Sequence, residues 1–316
     1  LSILQLLCTL LITLGHNQVS GLGDRVAAPP ARGINPRKPT RVIERVALIV
    51  IITTLFVLLV APLSSLALRS IVKLEPTRGE RGEIERGLTL QFYRELAVNR
   101  RGDLFFVPPI TAARNSFLFA LMTIGLTLTL GLLVAYAQRY RTPLTKILDP
   151  LLMLPLGASA ITQGLGFIIV FNRPPFSTLR FPLLIPIAHT LVALPFIVRT
   201  LSPALRNIST SLRNAAQVLG ASPLRVWREV DLPLMTPSIL VSTIFALTIS
   251  LGEFGASTFL VRPDYPTLPV AIYRYISQPG ALNYGQALAM STILMLVCAA
   301  GIFTIERLQK SERGEH

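Results

Sequence analysis

An all-α transmembrane bundle is the fold class this chain predicts, on three observations. Of its 316 residues 51% are hydrophobic and only 15% are charged, and the mean hydropathy is +0.58, beyond the balance of soluble domains. Several apolar runs reach the roughly 18 residues that a helix needs to cross a bilayer core of about 30 Å. Ten-residue segments of alternating polarity, which mark a membrane barrel, do not occur in the sequence. The spanning elements are therefore expected to be helices, the other structure that satisfies every backbone group in lipid.

The chain opens on Leu1–Leu14, apolar but without the basic start or the small-residue cleavage site of a signal peptide, and this stretch reads as the end of a preceding transmembrane helix. Residues 15–41 carry Pro29, Pro30, Pro36 and Pro39 among Gly and Arg, and read as a cytoplasmic linker. A helical domain follows over 42–310, with spans expected at about 43–68, 113–137, 147–171, 183–201, 236–260 and 286–305, and a polar tail at 311–316. Asn115 is placed to cap the second span, because its side chain can take up an orphan backbone donor. Thr127, Gly131 and Ala135 recur every four residues along that span, the small-residue spacing that lets helices approach closely in lipid.

The net charge of +14 is dispersed in short Lys/Arg clusters between apolar runs, which argues for membrane topology and against nucleic acid. Arg25, Arg32, Arg37, Lys38, Arg41 and Arg45 lie before or at the start of the first span. Arg139, Arg141 and Lys146 follow the second, and Arg199, Arg206, Arg213, Arg225 and Arg228 cluster about the end of the fourth. Those loops are expected to be cytoplasmic. The long Lys73–Arg101 loop offsets its Arg residues with Glu75, Glu80, Glu83, Glu85 and Glu95. Cys8 and Cys298 fall in apolar runs and read as packing residues, so no metal or other cofactor is expected. Lys38, Lys73, Lys146 and Lys310 each follow a residue other than Gly, so a phosphate-cradling Gly-Lys-Ser/Thr loop is missing from the sequence and any ATPase is expected on a separate chain. The histidines, His16, His189 and His316, are too scattered for the clustered acid–base groups of a membrane enzyme.

The most informative segment is the loop over 208–233. It holds Asn214-Ala215-Ala216, then Gly220, then Val230-Asp231-Leu232-Pro233. Gly220 suits the left-handed residue that ends a helix, and Ser222-Pro223 suits the start of another, so the loop reads as two short helices about a turn. Pro233 and Pro237 are expected to break the chain where it re-enters the bilayer. Trp227 suits the membrane interface.

These residues and their spacing resemble the Glu-Ala-Ala motif of type I ABC importer permeases, which runs from that triplet through a Gly three residues on to Ile-x-Leu-Pro. Ala215, Ala216, Gly220, Leu232 and Pro233 match directly, while Asn214 replaces the usual Glu and Val230 the usual Ile. The resemblance extends over about 43–307 through Asn115-Ser116, Asp149-Pro150, Leu154-Pro155, Ser250–Gly255 and Thr267–Pro269. It is most similar to the iron(III) and thiamine permeases, in which two halves are often fused in one polypeptide. It implies a six-helix type I ABC importer permease bundle in the cell (inner) membrane, with a cytoplasmic coupling helix. The implied partners are ABC nucleotide-binding ATPase subunits, an extracytoplasmic solute-binding protein, a second permease half and the lipid bilayer. Polyamine and sulfate stand as alternative solutes, and an ion-coupled secondary transporter as the alternative mechanism.

Glu253 is an acid well inside an apolar run, where insertion of such a group costs roughly 2.5–3.5 kcal/mol. Counted from Pro237 it lies about 24 Å along its span, toward the outer side. Gly252 and Gly255 beside it permit a local break in the helix, and the acid suits a cationic solute, an outer gate or a structural ion pair. Gln163 and His189 are weaker candidates for the solute pathway. Asp264 and Tyr265 suit an outer loop where a binding protein docks, and a solvated turn equally.

Overall fold

The structure of the chain is a computed structural model, which describes residues 42–73, 87–98, 108–139, 142–171, 173–174, 181–262 and 265–314. The expected helix end at Leu1–Leu14, the linker at 15–41, most of the loop after the first span, and Asp264 lie outside the described residues.

In chain order the helices are α1 (Val42–Arg69), α2 (Gln91–Glu95), α3 (Pro109–Arg139), α4 (Pro143–Gly157), α5 (Ala160–Phe171), α6 (Phe181–Asn207), α7 (Thr210–Val218) and α8 (Pro223–Val226). A π-helical turn, Trp227–Asp231, leads into α9 (Leu232–Gly252), followed by α10 (Gly255–Leu260), α11 (Leu268–Ile276) and α12 (Ala281–Gly314). An isolated antiparallel bridge pairs Val72 with Leu88. Among the described residues five helices are long and apolar enough to cross a membrane, and a bent pair brings the number to six if it is one span.

Helix α6 is the centre of the bundle, with 56% of its apolar window buried against 0% for α1. Ala193, Ile197, Leu201 and Leu205 of α6 meet Ala135 of α3 and Met235 and Ala246 of α9 in one core. Thr127, Gly131 and Ala135 form the buried stripe of α3. A Cβ on Gly131 would lie 2.6 Å from Ile197 Cγ2, so this position is small because the α6 side chain occupies the space. The apolar side chains of α1 are exposed, as suits lipid or another polypeptide.

Four expectations change. The third span, expected unbroken over 147–171, divides after Gly157, and Pro150–Gly157 and Ala160–Phe171 meet at 105°. Ala158 is extended, Ser159 Oγ accepts the Thr162 N–H at 3.2 Å, and Gln163 Nε2 donates to the Pro155 carbonyl at 2.6 Å. The bend is thus stabilised by side chains that replace lost backbone bonds. The fifth span, expected over 236–260, divides into two helices at Glu253–Phe254, between the two glycines that permit a break, and Glu253 takes an extended ψ of 107°.

Pro233, expected to break the chain, lies in the first turn of α9, and helix runs on from Pro223 to Gly252. The Leu232 N–H reaches back to the Trp227 carbonyl, five residues earlier. That wider π turn admits a proline ring that would clash with the preceding turn of an α-helix. Asn115, expected as a cap, lies inside α3, which starts earlier at Pro109. Its Nδ2 donates to the Pro266 carbonyl at 3.2 Å, and its neighbour Ser116 Oγ accepts the Leu268 N–H at 2.8 Å. Ser116 thus caps the start of α11 from another helix, and Asn115 holds the carbonyl just before that start.

Gly252 and Gly255 flank the same break but differ in surroundings. A Cβ on Gly255 would lie 2.7 Å from Ala160 Cβ and 3.1 Å from the Ile161 backbone nitrogen, whereas one on Gly252 meets nothing within 4 Å. Gly255→Val is expected to destabilise the detergent-purified protein by about 1–3 kcal/mol through overpacking against α5. Gly252→Ala is expected to be neutral within about 0.5 kcal/mol. Thermal unfolding of the two variants checks the contrast.

Candidate functional site

The segment from Ser209 to Pro233 leaves the bundle at one end and returns to it. Ser209 starts α7, its Oγ accepting the Ser211 N–H at 3.2 Å. Gly220 ends it with φ +85°. Around that residue the Gly220 N–H donates to the Gln217 carbonyl at 2.9 Å and the Ala221 N–H to the Ala216 carbonyl at 3.0 Å. This is the paired closure of a Schellman motif, for which a left-handed residue is required. Ser222 then takes the cap position ahead of Pro223, without a side-chain hydrogen bond.

The outer surface of this loop is apolar. Leu212, Val218, Leu219 and Leu224 are 51%, 86%, 88% and 73% exposed. Asn214 and Ala215 are exposed beside them, Ala216 is half-buried, Val230 and Leu232 are half-buried, and Pro233 is exposed. Val230 packs on the core formed by α3, α6 and α9, so the second half of the motif faces the bundle while the first half faces outward.

The underside holds a buried ion pair. Arg213 Nε lies 2.6 Å from Asp231 Oδ1, both side chains 5% exposed. The same guanidinium donates to the carbonyls of Ile208 at 3.2 Å and Leu205 at 3.4 Å, at the C-terminal end of α6. The second oxygen of Asp231 accepts from the Tyr136 hydroxyl of α3 at 2.9 Å. One cluster therefore ties α7 to α6, to α9 and to α3. Such a pair is costly to break, because either partner alone is a charge left in a dry site. The exposed Arg225–Glu229 pair, at 2.9 Å and about 60% exposed, contributes little by comparison.

From the sequence Arg213 stands only among the topology charges and Asp231 only as part of the loop motif, and Tyr136 carries no signal at all. A weak signal was present: Arg213 stands one turn before Ala216 on α7, and Asp231 sits where the chain turns apolar and a carboxylate needs a cation.

The expected solute-pathway residues gather where the two broken helices meet. Gly255 lies against Ala160, and a Cβ on Gly164 would lie 3.0 Å from the Ala256 Cα, so α5 and α10 touch almost backbone to backbone. The Glu253 carboxylate accepts the Ala256 N–H at 3.0 Å, serving as a cap for α10 in place of the helical bonds lost at the break. Gln163 is at the neighbouring bend, its Nε2 engaged as above and its Oε1 buried without a partner. His189 is buried between Ser250 and Ser257. Tyr265 is exposed.

Residues 127–313, more than half of the chain, match the family described as binding-protein-dependent transport system inner membrane component. The chain is 30% identical over 222 residues to a protein of Marchantia polymorpha described as "Probable sulfate transport system permease protein cysT", covering 66% of this chain and 76% of that one. It is 31% identical over 207 residues to the molybdenum transport system permease protein ModB of Mycobacterium bovis, covering 60% and 72%. Its fold is similar to that of a chain from the crystal structure of a bacterial ABC transporter involved in the import of the acidic polysaccharide alginate. The TM-score there is 0.64 at 16% identity, covering 85% of this chain and 95% of the other. The chain therefore belongs to the binding-protein-dependent transport system inner membrane components, the membrane permeases of ABC importers.

Proposed function

We propose that this permease conducts a small oxyanion, and that its α7–α8 loop is the cytoplasmic coupling element on which an ABC nucleotide-binding subunit closes. The observation that carries the second part is the two-sided character of the loop. Leu212, Val218, Leu219 and Leu224 present apolar surface away from the bundle, whereas Arg213 and Asp231 bind its other side to three membrane helices. An apolar patch of this kind needs a protein groove to cover it. The exposed Asn214, where the family motif has Glu, offers a hydrogen bond to that groove in place of an ion pair. The assembly on this reading holds two ATPase subunits, a second permease half and an extracytoplasmic binding protein.

The oxyanion reading replaces the iron(III) or thiamine expectation. That expectation rested on the resemblance of Ser250–Gly255 and Thr267–Pro269 to those permeases, with Glu253 as a candidate carboxylate for a cation. The Glu253 carboxylate is engaged at the α10 N-terminus. The relatives described above are permeases for sulfate and for molybdenum, an element soluble in oxygenated water as the molybdate oxyanion.

The first test is purification in mild detergent with mass spectrometry of co-purifying chains. ATPase activity is then measured with binding protein loaded with sulfate, molybdate, iron(III) or thiamine. An associated ATPase stimulated by sulfate or molybdate is expected. Stimulation by iron(III) or thiamine alone overturns the oxyanion reading, and a preparation without an ATPase overturns the coupling reading.

Two substitutions probe the loop. Gly220→Val forces a β-branched residue into the left-handed region, at about 1–2 kcal/mol; the bundle is expected to insert normally while ATPase association and uptake are lost. Asp231→Asn leaves the Arg213 guanidinium unneutralised in its buried site. It is expected to destabilise the fold by about 3–5 kcal/mol, read as a lowered unfolding temperature, with Asp231→Glu less damaging.

A further inference from the structure

We infer that His189 is a positioning residue that clasps the break between α9 and α10, so that the two segments move as one kinked lever. The inference rests on the permease reading above for its mechanical meaning, and on side-chain geometry for its existence.

Helix α9 continues without interruption from the loop through the π turn. A displacement imposed at the loop therefore reaches Gly252 along a rigid rod. At Glu253–Phe254 the helix is broken, and a break absorbs motion unless something else bridges it. His189 of α6 supplies the bridge. Its Nδ1 lies 2.8 Å from Ser250 Oγ on α9 and its Nε2 2.8 Å from Ser257 Oγ on α10. The imidazole is 2% exposed, and both serines are buried.

The proton inventory of this cluster has one consistent solution. Thr123 donates its hydroxyl proton to the Phe119 carbonyl at 2.8 Å, so toward Ser250, 3.2 Å away, it acts as acceptor. Ser250 thus spends its single proton on Thr123 and accepts from His189, which places the ring proton on Nδ1. Nε2 is then bare and accepts from Ser257. A directed chain runs from Ser257 through the ring and Ser250 to Thr123, crossing α10, α6, α9 and α3, and each hydroxyl donates once. Such a chain is satisfied in one arrangement only, which is what a clasp between two segments requires.

The opposite side of α10 is also gripped. Ala256 lies against Gly164, and Gly255 against Ala160, at distances that leave no room for a side chain. Held by α5 on one face and by His189 on the other, α10 passes a displacement of α9 on to the bend between α4 and α5.

The test uses the transporter purified with its co-purifying chains in lipid nanodiscs, with Cys8 and Cys298 replaced by Ser and spin labels on Thr248→Cys and Thr258→Cys, exposed positions either side of the break. The wild-type background is expected to give one narrow distance distribution, unchanged by trapping with ATP and vanadate. His189→Ala is expected to broaden it, and Ser257→Ala, which removes only the donor to Nε2, to broaden it likewise. The double variant is expected to be no broader than His189→Ala alone, because both remove the same bridge. If His189→Ala does not assemble, Ser257→Ala decides by itself. Nitrogen NMR of the ring, with His16 and His316 replaced by Gln, is expected to show the proton on Nδ1. Narrow distributions in the variants, a broad one in the wild-type background, or a proton on Nε2 overturns the inference. Since the distance needs neither solute nor ATPase to be read, the clasp and the permease reading can fail separately.

Discussion

Lipid offers no hydrogen bonds, so a transmembrane helix can be interrupted only where side chains take over the backbone groups that the interruption frees. Each irregularity in this bundle meets that condition with particular residues. Ser159 and Gln163 serve the bend between α4 and α5, and Glu253 serves the start of α10. Ser116 and Asn115, projecting from α3, serve the start of α11. These polar residues are tied to the places where helices end, and the bends of the bundle follow from where they stand.

The same condition gives the loop its mechanical character. A charged cluster at the bundle end is tolerable only when closed on itself, and Arg213, Asp231 and Tyr136 close it by using the carbonyls at the end of α6 as further acceptors. Because removal of any one member exposes the others to an unfavourable site, the cluster behaves as a single joint between the loop and three spans. The apolar outer side of the loop has no such closure among the described residues. The proposed coupling role rests on this asymmetry: a subunit seated on the outer side would displace the helices tied to the inner side.

Much of the architecture was legible in the sequence because apolar length is a strong signal. The loop motif was legible because Gly220 carries a conformational requirement that few other residues meet. What escaped the reading has a common cause. The break at Ala158–Ser159 leaves hydropathy almost unchanged, so a continuous apolar run hides two helices, whereas the one at Glu253–Phe254 falls between the two glycines that permit it. Pro233 misled in the other direction, since a π turn one step upstream removes the clash on which the expected break depended. Pairings such as Tyr136 with Asp231, or Asn115 with Pro266, join positions far apart in the chain. Local spacing says nothing of them until the helices are in place.

Glu253 carries the same question to function. An intramembrane carboxylate is a sound reason to suspect a ligand, and in isolation it favours a cation. Yet its cost can be met equally by backbone donors at a helix start, where the partial positive charge of the terminus favours a carboxylate. Once the break in the fifth span is known, the second explanation accounts for the acid, for Gly255 pressed against α5 and for the unobstructed Gly252 together. The carboxylate then has a structural role that needs no cation, and the proposed oxyanion reading does not call on it to bind solute.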